Sequence, residues 1–183
     1  MKLFVALGLA AGLFVGAVPA LAQTAGAQNT LVIKTDKGEI DVALRPDLAP
    51  KHVEQIKTLA RQGFYDGVVF HRVIDGFMAQ TGDPTGTGMG GSKLPDLKAE
   101  FSEETFSRGT VGMARSSSPN SANSQFFIML ADGPFLDGQY TVVGKVTKGM
   151  DVVDKIKKGD ANANGTVQNP DKMVSVKVAA DSQ

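Results

Sequence analysis

A succession of short runs of alternating branched and aromatic residues, broken by glycine and turn residues, limits this chain to a mainly β architecture. "LVIKTDKGEIDVAL" (Leu31 to Leu44) holds two such runs on either side of Asp36-Lys37-Gly38, a hairpin signal. The runs recur at Val68 to Ile74, Phe77 to Thr81, Thr110 to Ala114, Gln125 to Leu130, Tyr140 to Thr147 and Met173 to Ala180. Two segments carry helical spacing instead. "APKHVEQIKTLARQG" places Pro50 near a helix start, spaces Val53, Ile56, Leu59 and Ala60 along one face, and ends on Gly63. "MDVVDKIKKG" ends on Gly159, with lysines in its last turn where the helix dipole favours them. Short strands with two helices predict a closed antiparallel β-barrel with the helices over its ends. The long irregular stretches Pro84 to Phe101, Arg115 to Ser124 and Asp160 to Asp171 are where function is expected.

The 183 residues fit a single domain, with no internal repeat. Basic and acidic residues number 19 each, so no global charge points to nucleic acid or an anionic membrane. Cysteine is absent, which excludes disulfides, thiolate metal sites and a cysteine nucleophile. The N-terminal segment "MKLFVALGLAAGLFVGAVPALA" has one positive charge, an apolar stretch from Leu3 to Val18, then Pro19 and Ala20-Leu21-Ala22. This layout predicts a secretory signal peptide over residues 1–22, cleaved after Ala22, the alternative being an uncleaved anchor. The mature protein is then expected in the periplasm with a net charge of about −1, beginning with a disordered segment over residues 23–30.

Within "FHRVIDGFMAQTGD" (Phe70 to Asp83), a permanently charged Arg72 and an amide, Gln80, interrupt an apolar strand pattern. A two-residue Asp75-Gly76 turn would pair Arg72 with Ala79. A three-residue loop, Asp75-Gly76-Phe77, sets Arg72 opposite Gln80 and Ile74 opposite Met78. The second register is preferred, because a desolvated guanidinium cannot lose its proton and needs an acceptor. An outward-facing arginine on a solvated strand is the competing reading.

Three segments, "FHRVIDGFMAQTGD", "GTVGMARS…SANSQFFIML" and "FLDGQYTVVGKV", resemble in content and order the signature segments of the cyclophilin family of peptidyl-prolyl cis–trans isomerases. The likeness runs from Leu31 to the C-terminus, giving an isomerase domain over residues 31–181. It implies a closed eight-stranded antiparallel barrel capped by two α-helices. It also implies Arg72 as the catalytic arginine, assisted by Gln80. Phe77, Met78, Phe127 and Leu136 would then form a proline pocket, with Ala114, Arg115, Gln125, Phe135 and Tyr140 along the peptide groove. The activity so implied needs neither cofactor nor metal and acts on proline-containing peptides and unfolded or folding exported proteins. No nucleic acid, no membrane insertion after signal cleavage and a monomer are expected. Three positions depart from many eukaryotic members: Phe135 stands for Trp, Tyr140 for His and Arg115 for Asn. Phe135 lacks an indole donor, which puts tight cyclosporin binding in doubt. A non-catalytic peptide-binding or chaperone module using the same groove is the alternative from another class.

Other signals read as structural. "GTGMGG" (Gly86 to Gly91) matches a dinucleotide fingerprint formally, but no helix opens after it, so a glycine-rich loop beside the groove is expected. His71 alternates to the face opposite Arg72 and reads as a hydrogen-bonded structural residue, and His52, near a helix start, reads as solvent-exposed. Glu100, Glu103 and Glu104 lack calcium-loop spacing and read as an acidic surface loop. Ser116-Ser117-Ser118 has no nucleophile-elbow context.

Overall fold

A computed structural model describes residues 26–182; the expected signal peptide and residues 23–25 of the expected disordered segment lie outside the described residues. Alternation turns into strands where it was expected. The strands are β1 (Thr30–Thr35), β2 (Gly38–Leu44), β3 (Arg72–Ile74), β4 (Met78–Thr81), β5 (Thr110–Met113), β6 (Phe126–Met129), β7 (Val142–Lys148) and β8 (Met173–Val178). Helix α1 spans Pro50–Arg61 and helix α2 spans Met150–Lys155. The strands form one eight-stranded sheet in the order β3-β4-β6-β5-β7-β2-β1-β8, every neighbouring pair antiparallel.

The sheet curls but closes only in part, which corrects the expectation of a closed barrel. Strands β3 and β8 share no ladder. The seam is joined by backbone bonds between the segment ahead of β3 and the start of β8: Gly67 N–H to Met173 O (2.7 Å), Met173 N–H to Val68 O (2.9 Å) and Phe70 N–H to Asp171 O (2.9 Å). The reason lies in the edge of β3, which another segment already occupies. Val73 N–H donates to Gly165 O (2.8 Å), Gly159 N–H to Val73 O (2.9 Å) and Val167 N–H to His71 O (3.0 Å). A loop therefore satisfies the backbone groups that β8 would otherwise pair, and it also covers an exposed sheet edge.

The period of two sorts side chains onto two faces. One face and α1 share the larger core, which includes Ile33, Ile40, Val53, Ile56, Phe70, Val73, Phe126, Ile128 and Val176. The other face carries a smaller cluster of Met78, Phe106, Phe127, Met129, Leu136 and Val142, with Phe77, Ala114 and Tyr140 at its margin.

Helix α1 starts at Pro50 as expected, but its cap comes from far away. Ala49 offers no capping side chain. Instead the Glu100 carboxylate accepts from Lys51 N–H (3.2 Å) and His52 N–H (3.1 Å), satisfying amides that a helix start leaves unpaired. The same carboxylate lies 2.7 Å from His52 Nδ1. Two expectations are thereby corrected. His52 is fully buried rather than in solvent, because the helix start packs under the loop that carries Glu100. Glu100 belongs to this cap rather than to an acidic surface, whereas Glu103 is exposed and Glu104 meets Arg45 at 3.2 Å. Burial pushes the Glu100 carboxyl upward, but bonds from His52 and the helix amides outweigh this and hold it below the ordinary glutamate value. The start of the chain differs as well. Asn29 N–H bonds to Gly26 O (3.1 Å) and Leu44 N–H to Asn29 O (2.7 Å), so over residues 26–30 the expected disorder gives way to a helical turn and the first strand residue.

Candidate active site

The β3–β4 hairpin takes the three-residue loop, with Gly76 in the left-handed region at φ 68°. Arg72 therefore pairs with Gln80 and Ile74 with Met78, in the preferred register. Arg72 Nη1 donates to Gln80 Oε1 at 3.2 Å and lies 4.0 Å from Met78 Sδ. The amide and the guanidinium face the small cluster, and Val73, next to Arg72 in β3, enters the larger core on the other side.

Hydrogen bonding fixes the direction of every amide behind this arginine. Gln125 Nε2 donates to Gly88 O (3.0 Å) and Gly90 O (2.8 Å), which leaves Gln125 Oε1 to accept from Gln80 Nε2 (2.9 Å). Gln80 must then present its own oxygen to Arg72. The polarity of the chain is set at the glycine-rich loop, and Asp83 sets that loop. Asp83 is fully buried, and its carboxylate accepts from the N–H groups of Thr85 (2.8 Å), Thr87 (3.1 Å), Gly88 (2.6 Å) and Gly90 (3.1 Å). Gly90 permits this, since a Cβ there would fall 2.2 Å from Asp83 Oδ1. Burial alone would raise the Asp83 pKa; the bonds from Thr85, Gly90 and Gly88 reverse that and bring it down to about 2.

Beside the guanidinium lies a cavity of about 320 Å³ lined by Arg72, Phe77, Met78, Gln80, Ala114, Arg115, Phe127, Phe135, Leu136 and Tyr140. Phe127 floors it, stacked on Phe106 (centroids 5.8 Å apart) and meeting the edge of Tyr140 at 5.8 Å. Gly112 makes room for that stack, because a Cβ there would lie 2.6 Å from both rings. A short 3₁₀ turn, Pro134–Leu136, buries Leu136 and leaves Phe135 62% exposed at the rim, tilted against Phe77 at 5.5 Å. Arg115 lies over the Tyr140 ring (4.5 Å) and donates to Gln139 O (3.0 Å) and Ser116 O (3.0 Å), which holds it between this cavity and a second one. The second, about 520 Å³, is lined by Gly88, Met89, Gly90, Ser92, Asn123 and Gln125, with Gln80, Ala114 and Arg115 common to both.

The chain matches known proteins over most of its length. The family model described as "Cyclophilin type peptidyl-prolyl cis-trans isomerase/CLD" matches residues 30–178. The chain belongs to the cyclophilins. A protein of Brucella suis named "Probable peptidyl-prolyl cis-trans isomerase" is 58% identical over 98% of this chain and 99% of its own length. A cyclophilin from Hirschia baltica, AquaCyp293, superposes with a TM-score of 0.76 at 29% identity, covering 85% of this chain and 75% of that one. A Cryptosporidium parvum cyclophilin solved in the presence of the dipeptide Ala-Pro gives 0.75 at 29% identity, over 81% and 98% of the two chains. The chain is a peptidyl-prolyl cis–trans isomerase with a mainly β, partly closed cyclophilin fold.

All eleven residues singled out in this cyclophilin's sequence gather at these two cavities, Gln125 in the larger and the other ten around the smaller. The glycine-rich loop flanks the groove as expected. His71 is buried opposite Arg72, but neither ring nitrogen finds a hydrogen-bond partner among the described residues, which corrects the expected hydrogen-bonded role. Burial lowers its pKa, so a neutral ring packed near Gly88 is the favoured form. Sequence reasoning misses three residues: Phe106 under Phe127, Asp83 behind the glycines, and Asn164, which accepts from Arg72 Nε (3.0 Å) and Nη2 (2.9 Å). The Asn164-Gly165 pair does signal a turn, though not what the turn faces.

Proposed function

We propose that Arg72 is the catalytic group of this isomerase and that the cavity over Phe127 receives the proline ring. Rotation about an X–Pro bond faces a barrier of ~18–20 kcal/mol because amide resonance must be broken. No bond to the substrate need form. In the twisted state the prolyl nitrogen recovers its lone pair and accepts a hydrogen bond; in either planar state it offers little to a donor. A guanidinium aimed at that nitrogen therefore stabilises the transition state above both ground states, the difference that catalysis requires.

One observation carries the assignment: a half-buried cation stands at the wall of an apolar cavity with one donor unspent. Of its five N–H groups, three serve Asn164 and Gln80 and a fourth faces Met78 sulfur, so one on Nη2 has no acceptor among the described residues. Phe77, Met78, Phe127 and Leu136 would hold the ring still while the preceding carbonyl swings about it. Gln80, Ala114, Arg115, Gln125, Phe135 and Tyr140 would bind the flanking peptide. The C. parvum cyclophilin with Ala-Pro supports a proline peptide as the ligand class. The N-terminal apolar segment with its Ala20-Leu21-Ala22 site supports export, so the clients would be exported proteins that fold in the periplasm.

Replacing Arg72 by Ala should lower kcat/KM on a proline peptide, followed by NMR exchange, by roughly 100- to 1000-fold, with the melting temperature unchanged. A folded Arg72→Ala variant at full activity would overturn the assignment. If the Arg72→Ala and wild-type proteins bind peptide alike and neither turns it over, the groove is a binding module. Mass spectrometry of the exported protein should find Gln23 at its N-terminus.

A further inference from the structure

The arginines of this chain are held in two different ways. Arg45, Arg61 and Arg108 each meet a carboxylate, from Asp47 (2.7 Å), Asp181 (2.9 Å) and Asp154 (2.7 Å). Arg72 is held as firmly but only by neutral oxygens. Asn164 alone takes one whole edge of its guanidinium, the backbone carbonyl accepting from Nε and the side-chain oxygen from Nη2. This is the two-point geometry of an arginine–carboxylate pair without the negative charge.

The loop is built to present that residue. Asp160 opens it, accepting from Asn162 N–H through its side chain (2.8 Å) and from Gly165 N–H through its carbonyl (2.8 Å). Asn164 (φ 53°, ψ 34°) and Gly165 (φ 78°) are both left-handed, and Thr166 N–H closes the turn onto Ala163 O at 3.1 Å. Asn and Gly are the residues such a turn favours. Gly165 lets the loop dock on β3, since a Cβ there would lie 2.4 Å from Ile74 Cγ1. Val73, next to Arg72, bonds to the loop from both of its backbone groups. The turn is thus tied to the strand residue beside the arginine.

We infer that Asn164 is a positioning residue for the isomerisation, a neutral clamp that aims the Arg72 guanidinium while leaving its charge uncompensated for the twisted imide. This rests on Arg72 being the catalytic group. A carboxylate in place of this amide would fit the same space and the same left-handed backbone, and would grip the arginine more tightly. It would also offset the positive field on which the transition state depends, an effect moderated by water because Asn164 is exposed. Better binding of the arginine would mean slower catalysis, which no purely structural role produces.

The test is Asn164→Asp, Asn164→Gly, Arg72→Ala and the double variant Asn164→Asp/Arg72→Ala, measured on an Ala-Pro-containing peptide by NMR exchange. Asn164→Asp should lower kcat about tenfold with KM within about twofold and no drop in melting temperature. Asn164→Gly keeps the backbone acceptor and loses only the side-chain oxygen, so kcat should fall by about threefold. With Arg72 already replaced, Asn164→Asp should change kcat no further. Wild-type kcat in Asn164→Asp, or an equal loss with and without Arg72, would overturn the clamp. Should the Asn164→Asp substitution unfold the protein, wild-type kcat in Asn164→Gly would do the same. The two readings fail differently: a fully active Arg72→Ala removes the catalytic arginine and the clamp together. An inactive Arg72→Ala beside a fully active Asn164→Asp removes the clamp alone.

Discussion

Strands β4, β5 and β6 have two faces that obey different rules. The face toward α1 carries Ala79, Val111, Met113, Phe126 and Ile128, all apolar and all in the larger core. The opposite face carries Met78, Phe127 and Met129 beside Gln80, with Arg72 on the neighbouring strand. The inner face needs mainly volume and shape, its polar member Thr81 being satisfied locally by a bond to Val69 O (2.9 Å). The outer face has to orient each polar group, because a misturned amide at Gln80 or Gln125 would set donor against donor. The same alternation thus yields one surface that stabilises the fold and one that positions a charge.

Phe126 and Phe127, adjacent in β6, put that contrast to its hardest test. Phe126 is 1% exposed and meets Tyr65 edge-on at 5.6 Å; Phe127 lines the cavity. Phe126→Ala should cost about 3–5 kcal/mol of stability, a fall of roughly 10 °C in melting temperature, with kcat/KM of the folded fraction close to wild type. Phe127→Ala should cost less stability, because its cavity is already open on one side, and lower kcat/KM by about 30-fold as the ring loses its floor. Calorimetry with a peptide isomerisation assay reads both. Equal losses of stability and activity for the two variants would break the division between faces.

How much of this the sequence discloses follows the same line. Period-two alternation places Phe126 and Phe127 on opposite faces, and the need of a desolvated guanidinium for an acceptor selects the Arg72–Gln80 register. Both are local arguments, and the structure agrees with both. What escapes are partners brought in by distant loops. Glu100 reaches α1 across 48 residues to His52, and Asn164 reaches Arg72 across 92. No spacing rule links such pairs, because the connection exists only after the loops dock. The partial closure escapes for the same reason: the 159–167 loop occupies the edge of β3 that a barrel would give to β8. The family resemblance supplies the groove residues by position, but not the Asp83 and Asn164 contacts that hold them.

Glu100 sharpens the contrast from the inner side, as a single charge serving the apolar core. It caps α1 and bonds His52, while its own N–H donates to Thr141 Oγ1 (3.0 Å) next to Tyr140. Glu100→Gln keeps the shape and removes the charge, and should cost about 2 kcal/mol, or roughly 4–8 °C in melting temperature. Activity should change little, because the backbone link to Thr141 survives. A large drop in kcat with no thermal shift would mean that the cap serves the groove rather than the helix.

Asp83 offers the smallest effect and the finest reading, because its contribution can be switched by pH alone. Its carboxyl titrates near 2 in the folded protein and near ~3.9 in an unfolded chain, so the folded state binds its proton more weakly. A group depressed in this sense stabilises fully above the unfolded value and loses that contribution as pH falls through the folded one. Asp83 should therefore add about 1–2 kcal/mol at neutral pH, shrinking below pH ~4 and mostly gone near pH ~2. Urea titrations of the wild type and Asp83→Asn should show a gap in unfolding free energy that narrows over this window. Because Asp83 fixes the carbonyls that orient Gln125, the variant should also raise KM at neutral pH. A gap independent of pH would mean that the carboxylate charge does not order the glycine-rich loop, and the polarity running from Gly88 and Gly90 to Arg72 would then need another source.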